Sequence, residues 1–166
     1  MRIKNIQLIE KGDSVLLTAQ CTLRNFVTDT VYFKFAKKHK DFIVADASPF
    51  AAALLIPAMK LGQDLFIQGE ISEQLYNGMH KIMSIVLTWN LGLKPISIYA
   101  DSVRKDAHSQ ASKHASFFSG GVDSFYTYLK NKEKGNKMDY LILIDGYDIS
   151  LANKKLWEMA RESVKD

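Results

Sequence analysis

The chain has 166 residues, 47% of them hydrophobic and 24% charged, and a formal net charge of +4. That length suits one domain or two small ones, and the apolar share supports a packed core. Cys21 is the only cysteine, which excludes an intrachain disulfide or a thiolate zinc site and points to a reduced compartment. The mild basic excess suits a nucleotide or RNA partner without requiring one. Residues 130–137 are the nearest thing to a charge run, but Glu133 and Gly135 break them, as in a solvated helix end. The opening Met1-Arg2-Ile3-Lys4-Asn5 lacks the apolar run of a signal peptide. The longest apolar stretch, residues 51–59, is too short for a membrane span and contains Pro57. A soluble, cytoplasmic protein is therefore expected.

In chain order, residues 3–9 predict a first strand, followed by the turn Lys11-Gly12-Asp13. The second strand alternates: Val15, Leu17, Ala19, Cys21 and Leu23 share one face, and Leu16, Thr18, Gln20 and Thr22 the other. Cys21 is thus expected on the core face, as an inert small hydrophobe. A third strand puts Val31, Phe33 and Phe35 together, with Tyr32 and Lys34 opposite. Ser48-Pro49 reads as the N-cap and first position of a helix. That helix runs to a stop at Gly62, and Pro57 is expected to kink or shorten it.

Leu65, Ile67 and Ile71 predict a fourth strand, and Ser72 caps a second helix. On that helix Leu75, Met79, Ile82, Met83, Val86 and Trp89 recur at three- and four-residue spacing, a core stripe ended by Gly92. Residues 95–99 give a fifth strand. The order is βββαβαβ, an α+β domain over residues 1–100. It offers no catalytic constellation, because His39 and His80 have neither metal-ligand spacing nor a cysteine or carboxylate grouping to join. Residues 101–114 are polar and aperiodic and read as a linker.

A second unit begins at Ala115. Apolar residues 115–118 run as a buried strand into Ser119-Gly120-Gly121-Val122-Asp123-Ser124, and a helix to about Lys132 leaves it, with Phe125, Tyr128 and Leu129 on one stripe. Strand, glycine turn and helix together present backbone N–H groups and a helix N-terminus to an anion. The glycines let a phosphate approach the backbone, and Ser119 and Ser124 add hydroxyl donors. Asp123 would repel a phosphate unless Mg²⁺ lay between them or the Asp only capped the helix. The turn has no Gly-Lys-Ser/Thr, so it is not a Walker A loop, and it is not Gly-x-Gly-x-x-Gly. A strand over residues 140–144, a loop over 145–150 and a helix over 151–165 complete one β-α-β-α step of a doubly wound parallel sheet, a Rossmann-like arrangement. Asp145 and Asp148 close the second strand, where such sheets bind their ligands. Either could touch Mg²⁺ or a ribose, and equally the loop could simply cap the next helix.

The motif Ser119-Gly120-Gly121-Val122-Asp123-Ser124 resembles the Ser-Gly-Gly-x-Asp-Ser signature of the ATP pyrophosphatases, the PP-loop superfamily of adenosine nucleotide alpha-hydrolase-like domains. The resemblance covers residues 113–166 and is nearest in kind to 7-cyano-7-deazaguanine synthase and asparagine synthetase-type domains. It implies that Ser119, Gly120, Gly121, Val122 and Ser124 hold the pyrophosphate of ATP and that Asp123 serves Mg²⁺. The implied reaction is attack of an acceptor oxygen on the α-phosphate with release of pyrophosphate, followed by displacement of AMP. The acceptor stays open, a nucleobase or tRNA being among the candidates.

The sequence also departs from several branches. It lacks the terminal cysteine of one glutaminase type, the cysteine cluster of 7-cyano-7-deazaguanine synthase and the catalytic cysteines of the tRNA-thiolating relatives. Val122 stands where the reductase branch usually has lysine. PP-loop domains have about five strands and this stretch supplies two. The expectation is therefore a truncated chain, an expressed fragment or half of a split protein, inactive alone and completed by a second copy or a C-terminal partner chain. Two other readings stay open, a non-catalytic ATP- or AMP-binding module and a structural or RNA-contacting domain with a vestigial loop.

Overall fold

The computed structural model describes residues 1–25, 27–105 and 113–164. The chain divides into two compact units, Met1–Ala107 and His108–Asp166. It is an α+β protein.

Unit 1 contains strands β1 (Arg2–Lys11), β2 (Ser14–Thr22) and β3 (Thr28–Ala36), a 3₁₀ turn (Lys37–Phe42) and helix α1 (Ser48–Leu61). Strand β4 (Leu65–Ser72), helix α2 (Glu73–Leu87) and strand β5 (Ile98–Arg104) follow. The five strands form one mixed sheet in the order β3-β2-β1-β4-β5. β1–β2 and β2–β3 are antiparallel, whereas β1–β4 and β4–β5 are parallel. The strand alternation predicted for β2 is what the core uses. Ile3, Leu17, Ala19, Cys21, Leu65, Ile67, Ile71 and Ile98 face Phe50, Leu55, Ala58 and Met59 of α1 and Met79 and Val86 of α2. Phe33 of β3 extends this layer, its ring 5.3 Å from that of Phe50. Burial pushes the Cys21 thiol up, so the inert reading of that residue stands.

Several local expectations are corrected. β1 is not one regular strand: its pairing with β2 shifts between Lys4 and Gln7, where Asn5 takes a left-handed φ of 54°. This bulge moves the outward positions from Arg2 and Lys4 to Gln7 and Ile9. Ser48 is the first helical residue rather than the cap. Ala47 holds the cap position, and the Asp46 carboxylate accepts the Ser48 N–H at 2.6 Å in its place. Pro57 does not shorten α1, which runs on to a left-handed Gly62 (φ 62°). α2 ends at Leu87 rather than near Gly92, so Trp89 lies beyond it and is exposed. Ser72 caps α2 as expected, accepting the Leu75 N–H at 3.1 Å.

β5 spans Ile98–Arg104, so residues 101–104, read as linker, are strand. Their polar side chains hid it, but strand pairing is made by the backbone. Ser102 and Arg104 pair with Glu70 and Ser72, and Arg104 reaches Glu70 at 2.9 Å. Residues 106–112 of the expected linker lie outside the described residues.

Unit 2 contains β6 (Ala115–Phe117), α3 (Val122–Glu133), β7 (Tyr140–Ile142) and α4 (Lys154–Ser163), with β6 and β7 parallel. β7 stops at Ile142 rather than at 144 because β6 offers only three residues to pair with it. α4 starts at Lys154, not Leu151: Asn153 supplies the cap, its side chain accepting the Leu156 N–H at 3.2 Å. Leu151 packs instead on the turn at Gly146, where a Cβ would meet it at 3.0 Å. The expected helix end at Lys165 lies outside the described residues. Among the described residues of unit 2, Phe118 is the only buried hydrophobic side chain.

Candidate functional site

The turn between β6 and α3 is built by its own side chains. Gly120 has φ +78°, a conformation that glycine adopts without strain. Gly121 does not need it: its φ is −82° and it occupies the N-cap of α3 with no side-chain cap. What Gly121 provides is space, because a Cβ there would meet the Ser119 hydroxyl at 3.3 Å. The Ser119 Oγ accepts the Gly121 N–H at 3.3 Å and stands 3.5 Å from the Ser124 Oγ. Ser124 in turn donates to the Gly121 carbonyl at 2.7 Å. Both predicted hydroxyls are thereby held at one point over the start of α3. The N–H groups of residues 122–124 lie in the first turn of that helix, where no intrahelical acceptor exists.

A groove of about 550 Å³ opens beside this turn. Ser119, Asp123 and Ser124 line it from the turn and α3, and Tyr147 and Asp148 line it from the loop after β7. Asp123 and Asp148 are thus brought to one groove, beyond the carboxyl ends of two parallel strands. Asp145 is exposed and is not among the lining residues, so it stays outside this arrangement. Val122 is 84% exposed and lies outside the lining too, so its side chain takes no part in the groove.

The sequence reading missed Thr127 and Tyr147, both of which line the groove. Thr127 was legible in principle, because it lies one helical turn after Asp123 and Ser124. Its hydroxyl already donates to the Asp123 carbonyl at 2.8 Å.

Among the described residues no lysine, arginine or histidine lines the groove, whose charged side chains are Asp123 and Asp148. A cation bound between the carboxylates and a phosphate would offset their repulsion. The described residues contain no group of three or more His, Cys, Asp or Glu side chains placed to hold a metal ion. The two carboxylates of the groove are the number that Mg²⁺ commonly takes from a protein, the rest of its shell being water and substrate phosphates. Asp123 and Asp148 are the residues that would hold it. No described helix is long and apolar enough to cross a membrane.

No family model, curated protein or solved structure matches the chain.

Proposed function

We propose that unit 2 binds Mg-ATP through residues 119–124 and that its chemistry is that of the ATP pyrophosphatases. The observation that carries this is the convergence of the Ser119 and Ser124 hydroxyls and the uncapped start of α3 on a groove that also holds Asp123 and Asp148. The parallel β6-α3-β7-α4 step supports the finer fold reading, a doubly wound Rossmann-like domain. In this reading the hydroxyls and amides orient the β- and γ-phosphates, and Asp123 and Asp148 hold Mg²⁺. Mg²⁺ held by these residues would neutralise phosphate charge and so favour loss of pyrophosphate. The acceptor, a nucleobase or tRNA, would present an oxygen to the α-phosphorus. Positioning and charge stabilisation supply most of the rate in such transfers.

A second reading, nucleotide binding without turnover, is favoured by the lack of a cationic side chain among the described residues that line the groove. Two measurements separate the readings. Titration calorimetry with Mg-ATP, metal-free ATP and Mg-AMP reports binding, and a coupled assay reports pyrophosphate release. The proposal expects Mg-ATP to bind more tightly than either of the others. Pyrophosphate release once an acceptor and a complementing chain are added would favour the first reading, and binding without release under those conditions the second.

A further inference from the structure

In unit 1, α1 and α2 cover one face of the sheet, and no described helix of this unit packs on the rung of Arg2, Phe66 and Tyr99 on the other. Across that second face the rung joins four strands: Thr22 of β2 pairs with Arg2 of β1, Arg2 with Phe66 of β4, and Phe66 with Tyr99 of β5. The side chains on this rung form a ladder. The Arg2 guanidinium lies 5.8 Å from the Phe66 ring centroid, and the Phe66 and Tyr99 rings stack at 4.9 Å with 13° between their planes. Phe66 is 40% and Tyr99 52% exposed. Tyr99 stands on the edge strand, and Phe66 is its one ring contact among the described residues.

Two grooves, of about 590 and 360 Å³, flank the ladder and share Arg2, Lys4 and Phe66, and Arg24 lines the larger. Arg2, Lys4 and Arg24 form no ion pair with any described residue. Two carboxylates, Asp64 and Asp101, also line these grooves. Each is engaged by the backbone: Asp64 accepts the Ser97 N–H at 2.8 Å and Asp101 the Gly69 N–H at 2.9 Å.

We propose that this face binds a single-stranded nucleic acid, with a base stacked on Tyr99 and the backbone phosphates met by Arg2, Lys4 and Arg24. Exposed aromatic side chains on a sheet face are platforms for unstacked bases, which offer a π-face whatever their identity. Unpaired cations around the platform supply the complement to phosphate. The unpaired cations favour a polyanion, and the exposed ring of Tyr99 favours one that carries bases. The proposal is independent of the reading of unit 2.

The test is fluorescence anisotropy of the full chain with labelled ten-nucleotide oligo(U), oligo(dT) and a duplex of the same length, over a range of salt. Both single strands should bind more tightly than the duplex, and the oligo(U) and oligo(dT) arms tell whether the ligand is RNA, DNA or either. Affinity should fall with salt at about 0.7 log units per log unit for each phosphate neutralised. Tyr99→Ala should weaken binding by about tenfold or more, and Tyr99→Phe should restore it, because stacking needs the ring and not the hydroxyl. Arg2→Ala should flatten the salt slope. Amide shifts in the NMR spectrum of the wild type, titrated with oligo(U), should cluster on β1, β4 and β5. Equal affinity for heparin and oligonucleotide, unchanged binding by a folded Tyr99→Ala variant, or shifts confined to unit 2 would each overturn the proposal.

Discussion

At the residue scale, Gly120 and Gly121 do different work, and their variants should fail differently. Gly120→Val forces a branched side chain into φ +78° and should distort the turn itself. Gly121→Val keeps an ordinary φ but displaces the Ser119 hydroxyl, so it should remove Mg-ATP binding while the circular dichroism of the chain stays unchanged. Asp123 can be separated from a plain helix-start charge by Asp123→Asn. If it holds Mg²⁺, affinity for Mg-ATP should fall by about 1 kcal/mol or more, the scale of a charge-assisted contact. Metal-free ATP should bind the variant as well as the wild type, or better. Equal Mg-ATP affinity in titration calorimetry would leave Asp123 with no part in metal binding.

At the scale of elements, the ends of β6 and α2 give two checks. Asp139 accepts the His114 N–H at 3.0 Å, which with Lys137 at 3.1 Å holds its carboxyl below the usual carboxylate range. Its folded pKa is depressed, so its contribution to unit 2 is present above the unfolded value of about 3.9 and is lost as pH falls through the folded one. Asp139→Asn should therefore weaken the pH dependence of the His114 amide shift below about pH 4. Ser72→Ala should cost unit 1 about 1 kcal/mol in urea unfolding, the usual loss of a serine cap.

The elements also show what the sequence could and could not reveal. β2, the Gly62 stop and the Ser72 cap were legible because each is fixed by a local pattern. β5 was misplaced because Asp101, Ser102 and Arg104 carry no apolar signal, and their strand is made by pairing with β4. The bulge at Asn5 has no local signature either. In the candidate site the turn was legible from its residue types. The separation of Asp148, which lines the groove, from Asp145, which does not, follows from the path of the loop after β7, and alternation says nothing about that path.

At the scale of the whole molecule, the two units differ in how they are stabilised. Unit 1 buries a continuous core between sheet and helices, and unit 2 buries Phe118 alone among its described hydrophobic side chains. Leu129, Leu141, Ile142 and Ile144 all remain at least 39% exposed there. A fragment of residues 1–105 should fold cooperatively, and one ending at residue 100 should be weaker because it loses the outer half of β5. A fragment of residues 108–166 should show little dispersion in its NMR spectrum, since two short parallel strands with open edges seldom hold alone. A well-dispersed, monomeric spectrum from that fragment would show that its stability has been underestimated. The central claim is that residues 119–124 hold a metal-bound polyphosphate, and the most direct test is titration of Mg-pyrophosphate into the full chain and into its Gly121→Val variant. The account predicts saturable, Mg²⁺-dependent binding by the wild type and none by the variant. Equal heats from the two, or binding indifferent to Mg²⁺, would contradict it.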